Sequence, residues 1–221
     1  SEHRYKNFDM AAYTLKHPGH AGLQTPEWDV AKFMGFSFDD TDVYKTIEGA
    51  SYILQTYPDK KLKAYIDSVL NVVGAAQEPD GYLYTARTIN PEHPHAWSGK
   101  KRWEKEEDLS HELYNLGHMV DAACAHYQAT GSHKFLDIAR RYADCVCREV
   151  GSGSDQATVV PGHQIAEMAL ARLYTLTGEK RYLDEAKYLL DFRGKTHIRQ
   201  EYSQSHKPIL NQDESVGHAV R

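Results

Sequence analysis

Apolar side chains recur at helical spacing along most of the chain after residue 38. The segments DVYKTIEGASYILQTY and DKKLKAYIDSVLNVVGAAQ each carry an apolar residue at every third or fourth position. This spacing predicts one buried face on each of two α-helices. The two stripes consist of Val43, Ile47, Ala50 and Leu54, and of Leu62, Ile66, Leu70 and Val73. Pro58 and Asp59 separate the two helices.

Residues 78–106 interrupt the helical pattern with three prolines and two glycines, so they cannot form one helix. A loop this long in a compact domain is usually functional or disordered. Its aromatic residues argue against disorder. We therefore expect this segment to pack over one end of the domain as the wall of a cleft. The aromatic residues are Tyr82, Tyr84, Trp97 and Trp103.

Helical periodicity resumes after this interruption. A helix is predicted from about Asp108 to Ala129, with Asp108 or Ser110 as its N-cap. By contrast, residues 1–38 have weak periodicity and several prolines and glycines, which predicts an irregular segment with one short helix. Further helices are predicted at about 134–150, 164–176 and 180–191, and the first turns of another at 213–221.

A helical hairpin is repeated within the chain. Thr130-Gly131 and Thr177-Gly178 lie 47 residues apart, and Leu136-Asp137 and Leu183-Asp184 keep the same offset. A period of this length with two helices per unit predicts stacked helical hairpins, because one hairpin cannot bury its apolar face alone. Such hairpins form an open solenoid or close into a toroid of six, the (α/α)6 barrel. About three hairpins are recognisable, so the all-α chain corresponds to half a barrel.

The composition argues against some classes of function. The chain has 221 residues, 41% of them hydrophobic, and a net charge of −5 with scattered charges. We therefore expect no nucleic-acid partner. No apolar run is long enough to span a membrane, and no secretory leader is recognisable. The localisation stays open: periplasmic or secreted if a leader was removed, and otherwise cytoplasmic.

The three cysteines show no metal or redox spacing. Cys145 and Cys147 are two residues apart in a predicted helix, so they point to different faces. We expect these two residues and Cys124 to be small core or surface residues.

Gly-His pairs recur near the starts of predicted inner helices, at 117–118, 162–163 and 217–218. Glycine permits a close approach of backbones, and the following histidine can hydrogen-bond a ligand hydroxyl, although capping or core roles are the alternative. His111 and His118 share a helix face. Carboxylates near these helix starts can instead stabilise the helix through its dipole. No two of them have the spacing expected of a catalytic acid and a nucleophile. These carboxylates are Asp40, Asp42, Glu112, Glu167 and Glu214.

Six blocks of the sequence resemble glycoside hydrolase family 127, the bacterial β-L-arabinofuranosidase family. In chain order they are DDTDVYKTIEGASYIL, QEPDGYLYT, HELYNLGHMVDAACAHYQATG, FLDIARRYADCV, GHQIAEMALARLYTLTGEKRYLDEAKYLLDFRG and QDESVGHAVR. The resemblance covers nearly all of residues 39–221, which it identifies as the N-terminal portion of an (α/α)6 catalytic barrel. The resemblance implies that the remainder of the barrel and the C-terminal β-sandwich domains are absent from this chain.

The resemblance also implies a chemistry. Members of the family are retaining enzymes with a zinc-bound cysteine thiolate as nucleophile and a glutamate as acid/base. These residues and the other zinc ligands follow the GHAVR block, so this chain is expected to carry no catalytic residue, to bind no metal and to be inactive alone. The resemblance assigns substrate binding to His111, His163 and His218, and places Asp40, Asp42 and Lys45 near the pocket.

We therefore expect a hydrolase that releases terminal β-L-arabinofuranose, or a related pectin-derived sugar, from plant glycans. Its partners are a glycan substrate and the C-terminal remainder of the same enzyme, and zinc is its expected cofactor. Two alternatives remain open on the residues alone. One is a helical-repeat scaffold for protein interactions. The other is an (α/α)6 enzyme of different chemistry, such as an unsaturated-uronide hydrolase or a sugar epimerase.

Overall fold

The computed structural model describes residues 2–19, 33–195 and 207–208. These ranges contain eight α-helices and one short 3-10 helix but no β-strand. The α-helices are α1 (Glu2–Lys16), α2 (Asp40–Thr56), α3 (Lys60–Ala75), α4 (Thr85–Thr88), α5 (Glu112–Thr130), α6 (His133–Glu149), α7 (Ala166–Thr177) and α8 (Lys180–Phe192). The 3-10 helix is Ala96–Ser98. The additional helix predicted at 213–221 lies outside the described residues.

Three helix pairs form the hairpins that the repeat predicts: α2 with α3, α5 with α6, and α7 with α8. The inner helices α2, α5 and α7 pack side by side, and α5 is buried along most of its length. Helices α3, α6 and α8 bury one face each and present polar residues on the other. The predicted hairpin arrangement is confirmed.

The inner helices run parallel. Near their N-termini, Lys45 of α2 contacts Tyr114 of α5. One to two turns further along, Arg172 of α7 lies 3.2 Å from a carboxylate oxygen of Asp121 in α5 and 3.4 Å from the hydroxyl of Tyr52 in α2. Residues near the N-terminus of one helix thus contact residues near the N-terminus of the next, and residues further along contact each other in the same order. All three helices therefore begin at the same end of the domain, which we call the mouth.

The repeated Thr-Gly turn has the same structure in both copies. Gly131 and Gly178 end α5 and α7 with φ of 68° and 73°, and each donates its N–H to the carbonyl four residues earlier at 2.8 Å. Thr130 and Thr177 each donate a hydroxyl to the carbonyl four residues earlier, at 2.7 and 2.8 Å. Glycine is favoured at a left-handed C-cap because it has no β-carbon. The sequence repeat is therefore a repeat of one hairpin turn.

The one short helix expected within residues 1–38 is longer than predicted, because α1 extends over the 15 residues Glu2–Lys16. Phe8, Met10, Ala11 and Ala12 of this helix are all buried. Adjacent positions are therefore covered on more than one side, which removes the single apolar stripe that identifies a surface helix. Residues 20–32 lie outside the described part.

The predicted start of α5 is also wrong. Neither Asp108 nor Ser110 is the N-cap, because the helix begins at Glu112 and its N-cap is His111, with φ of 61° and no side-chain capping bond. The carboxylate of Glu106 accepts hydrogen bonds from the backbone N–H groups of Glu112 at 2.7 Å and of Leu113 at 3.2 Å. A cap contributed from outside the helix leaves no N-cap signal at the helix start.

The segment 78–106 packs against the helices, as expected from its aromatic residues. Tyr82, Tyr84 and Trp103 are at most 3% exposed. The hydroxyl of Tyr82 donates to Glu112 at 2.5 Å, and that of Tyr84 donates to the Ser110 carbonyl. This segment therefore supports the backbone at the start of α5, where the mouth lies.

Candidate functional site

A cluster of aromatic rings lies at the mouth, with Tyr114 at its centre. The ring centroid of Tyr114 lies 4.5 Å from those of His118 and His163 and 5.7 Å from that of His111. The rings of His111 and His163 are 6.0 Å apart. Two of the three histidines that the resemblance selects therefore meet here. The third, His218, lies outside the described residues.

The backbone sets the tautomer of His111. Its Nδ1 lies 2.7 Å from the carbonyl oxygen of Leu109. A carbonyl only accepts hydrogen bonds, so Nδ1 carries the proton, and in the neutral ring Nε2 is an acceptor. The ring also packs against Phe38, with the centroids 5.2 Å apart. His111 thus presents a defined acceptor on a half-buried ring.

Lys45 supplies a positive charge to the cluster. Its Nζ donates to the hydroxyl of Tyr114 at 2.9 Å and lies 5.0 Å from the centre of that ring. Burial, the charge of Lys45 and His163 together lower the pKa of His118 to about 3. His118 is therefore neutral at physiological pH. Imidazole, phenol and ammonium groups are suited to binding hydroxyl groups.

The glycines of the first two Gly-His pairs are required by close packing. A β-carbon on Gly117 would lie 2.5 Å from Ile165 Cγ2 and 2.9 Å from the backbone nitrogen of Ala166. A β-carbon on Gly162 would lie 2.5 Å from the carbonyl oxygen of Glu107. These contacts are too short for any side chain, so the expectation of close backbone approach is confirmed at both positions. Gly217 lies outside the described residues.

Asp40 and Asp42 are not brought into the ring cluster. Asp40 is buried and accepts hydrogen bonds from the backbone N–H of Thr85 at 2.8 Å and from its hydroxyl at 2.6 Å. Burial raises the pKa of Asp40 to about 7 against the opposing effect of these bonds. Asp42 forms an ion pair with Arg4 at 2.6 Å. Both aspartates therefore connect α2 to neighbouring segments.

Two other carboxylates near the helix starts have structural partners. Glu112 is buried and accepts from Tyr82 and from the backbone of Trp103. Burial raises its pKa against these bonds. Glu167 accepts the backbone N–H of Ile165 at 3.2 Å at the start of α7. Both contacts fit the helix-start alternative better than a catalytic role, and Glu214 lies outside the described residues.

The described residues contain one group with potential metal ligands, formed by Asp80, Cys145 and Glu149, whose ligand atoms lie within 4.8 Å of one another. The guanidinium of Arg102 lies among them. It is 2.6 Å from Asp80, 2.8 Å from Glu149 and 4.0 Å from the Cys145 sulfur, and it also pairs with Glu78 at 2.7 Å. The positive charge that a metal would bring is thus supplied by an arginine.

The cysteines do not resemble zinc ligands. Cys145 is buried beside Arg102, and Cys147 lies 3.8 Å from the carbonyl oxygen of Arg181. Burial raises the pKa of Cys124 and Cys147 to about 12 and also raises that of Cys145. Cys145 is the one cysteine in the group of potential metal ligands among the described residues, and the guanidinium of Arg102 lies beside its sulfur. This group therefore does not fit the cysteine-bound zinc of the family.

Two residues at this site were not selected from the sequence. Tyr114 lies three positions after His111, so helical spacing places both on the same side of α5 and gives a signal for it. Glu106 precedes the helix it caps, and only the folded loop brings it there. No sequence spacing indicates that contact.

The fold and this mouth define an all-helical hairpin domain with a cluster of histidine and tyrosine rings at the start of its inner helices. The chain belongs to glycoside hydrolase family 127: residues 4–221 match the profile described as beta-L-arabinofuranosidase, GH127 catalytic domain. The helices are accordingly the N-terminal half of the (α/α)6 barrel of that family. None of the helices described here has the length and apolarity of a membrane span.

Individual relatives agree with this assignment. A non-reducing end beta-L-arabinofuranosidase from Bifidobacterium longum subsp. longum is 36% identical over 86% of this chain and 32% of its own length. A solved GH127 beta-arabinofuranosidase is 64% identical, with a TM-score of 0.88 over 98% of this chain and 32% of that protein. A GH127 beta-L-arabinofuranosidase from Geobacillus stearothermophilus T6 is 35% identical, with a TM-score of 0.81 over 100% of this chain and 34% of its own. The chain thus spans about a third of these relatives.

Proposed function

We propose that the protein to which this chain belongs is a retaining glycoside hydrolase that releases terminal β-L-arabinofuranose or a related pentose from plant glycans. The observation that carries the proposal is the meeting of His111 and His163 around Tyr114 at the mouth of a family 127 domain. The names of the relatives support the choice of sugar.

In this proposal the chain binds and orients the sugar. His111 and His163 hydrogen-bond hydroxyls of the ring, and the fixed tautomer of His111 makes its Nε2 an acceptor for a hydroxyl proton. Lys45 acts at the edge of the same cluster through Tyr114. His218 completes the set of histidines that the resemblance selects.

The two aspartates act indirectly. Asp40 holds the segment at Thr85, and Asp42 holds Arg4 of α1, so they fix the helix that carries Lys45. Their contribution is therefore to the shape of the pocket.

The remaining chemistry is assigned to other parts of the enzyme. We propose that the whole enzyme carries zinc and uses a cysteine nucleophile and a glutamate acid/base, as the resemblance implies. Zinc would supply a stable thiolate at neutral pH. The cysteines of this chain do not fit that role, so the residues described here contribute binding and orientation alone.

Substitution of His163 tests the proposal in the full-length enzyme. On an aryl β-L-arabinofuranoside, His163→Ala should lower kcat/KM at least about fivefold, because a lost hydrogen bond in the transition state costs about 1 kcal/mol or more. His133→Ala is the matched control, because His133 is an exposed histidine at the start of the outer helix α6. A loss of less than about twofold for His163→Ala would refute its role in binding.

The alternatives are separated by substrate. Family membership argues against a scaffold for protein interactions. An unsaturated-uronide hydrolase or a sugar epimerase would act on its own substrate and leave the aryl arabinofuranoside intact. Release of arabinose with retained anomeric configuration supports the proposal, and turnover of unsaturated uronides or free sugars alone would replace it.

A further inference from the structure

Two residues other than glycine have a left-handed backbone among the residues described. They are Trp103, with φ of 65°, and His111, with φ of 61°. They mark the two ends of the segment that leads into α5. A β-carbon makes this conformation unfavourable, and it persists where surrounding contacts hold it in place. The contacts at both ends of this segment are therefore informative.

Two buried glutamates hold the two ends. Glu106 Oε2 accepts the backbone N–H groups of Glu112 and Leu113, directly after His111. Glu112 Oε2 accepts the backbone N–H of Trp103 at 2.9 Å. The hydroxyl of Ser110 lies between the two carboxylates, 3.3 Å from Glu106 and 2.8 Å from Glu112. Each carboxylate thus fixes one end of the segment.

Glu106 takes the place of the missing side-chain cap of α5. The first N–H groups of a helix need acceptors, but the N-cap residue, His111, makes no capping bond. Its ring bonds the carbonyl of Leu109 instead. Because Glu106 satisfies the helix, the imidazole of His111 can lie in the mouth.

The backbone of Glu106 also supports the loop of His163. The N–H of Gly162 donates to the carbonyl of Glu106 at 3.2 Å. The close approach of Gly162 to the Glu107 carbonyl places the loop directly on this segment. Glu106 therefore contacts the supports of both histidines, one through its side chain and one through its backbone.

We propose that Glu106 is a positioning residue: its carboxylate fixes His111 relative to His163 without touching the substrate. The inference rests on the proposed role of these histidines in sugar binding. It goes beyond the family resemblance, which selects the histidines and assigns nothing to Glu106.

The full-length enzyme carrying Glu106→Asp or Glu106→Gln tests this role. The aspartate side chain is one carbon shorter and cannot reach the start of α5, so kcat/KM should fall at least about tenfold. Glutamine keeps an acceptor oxygen at the same reach, so kcat/KM should stay within about threefold of the wild type. In the His111→Ala background, Glu106→Asp should lower kcat/KM by less than about threefold, because it acts through His111.

Glu185→Ala is the control for a purely structural effect. Glu185 is a buried glutamate of the outer helix α8. Its substitution should change the melting temperature of the enzyme and leave kcat/KM within about twofold of the wild type. A change in stability alone should therefore not alter activity. The proposal is overturned if Glu106→Asp keeps wild-type kcat/KM, if it costs the same factor with and without His111, or if Glu106→Gln is equally impaired.

A structural measurement separates this inference from the proposed function. If the enzyme hydrolyses no arabinofuranoside, the function fails, and a crystal structure of the full-length Glu106→Asp variant still tests the positioning role. A His111 φ that leaves the left-handed region supports the role. A His111 backbone and ring unchanged from the wild-type crystal structure overturn it.

Discussion

Substitution of Gly117 by alanine probes the contact between α5 and the loop of His163. The new β-carbon would lie 2.5 Å from Ile165 Cγ2 and 2.9 Å from two backbone atoms at residues 165 and 166. Ordinary contacts of this kind start near 3.4 Å. The start of α7 must therefore move by about 0.5 to 0.9 Å, and overpacking of this kind costs about 1–3 kcal/mol.

Helix propensity works in the opposite direction. Alanine is favoured over glycine inside a helix by about 1 kcal/mol, so the free energy of unfolding of Gly117→Ala should fall by up to about 2 kcal/mol. Gly49 of α2 is the matched control, because a β-carbon there meets nothing within 4 Å. Gly49→Ala should therefore stabilise the chain by about 0.5–1 kcal/mol.

Urea unfolding of the 221-residue chain, followed by far-ultraviolet circular dichroism, measures both changes at a common m-value. Gly117→Ala should therefore be less stable than Gly49→Ala by about 0.5–3 kcal/mol. Equal stability of Gly117→Ala and Gly49→Ala would refute the argument from close contact. In the full-length enzyme, Gly117→Ala should also lower kcat/KM by about tenfold or more, because Ile165 follows His163 by two residues.

Three further predictions concern the mouth and the arginine behind it. Tyr114→Phe removes the hydroxyl bonded to Lys45 and keeps the ring, so in the full-length enzyme kcat/KM should fall about fivefold, and an unchanged value would contradict the role of that bond. Arg102→Met leaves the carboxylates of Glu78, Asp80 and Glu149 together without a cation, and should lower the free energy of unfolding in urea by about 2–3 kcal/mol. Arg181→Met removes an exposed ion pair and should cost under about 1 kcal/mol. Equal losses for the two variants would refute a special contribution of Arg102. The pKa of His118 is lowered from 6.5 to about 3, so its contribution to stability is present above pH 6.5 and is lost as the pH falls towards 3. His118→Gln should reduce the stability lost between pH 7 and pH 4.5 by about 1–2 kcal/mol, and an equal loss in wild type and variant would contradict the shift.

The hairpins could be predicted because they are set by local signals. The apolar stripes of α2 and α3 and the repeated turn at Gly131 and Gly178 act within a few residues of one another. Helix α1 gave no such signal, because it buries adjacent positions. The start of α5 was misplaced because its cap, Glu106, is contributed by a folded loop.

The candidate site also combines features that local sequence signals indicate with features that only the folded chain brings together. Glycine before histidine indicated close packing, and the structure confirms it at Gly117 and Gly162. The meeting of His111 with His163 follows from three parallel helices, which no local pattern specifies. Asp40 is a carboxylate near the start of an inner helix, which suggested a role in binding, but in the fold it accepts hydrogen bonds from Thr85.

Arg102 lets the long segment before α5 be held in place without a bound metal ion. The carboxylates of Glu78, Asp80 and Glu149 beside Cys145 offer ligand atoms for a metal ion. Here the cation among them is the guanidinium of Arg102, which keeps its charge at every physiological pH. Chelators cannot extract it, and metal starvation cannot loosen the segment that it fastens. The same guanidinium lies 4.0 Å from the Cys145 sulfur, so the cation that neutralises this group of ligand atoms is part of the chain itself.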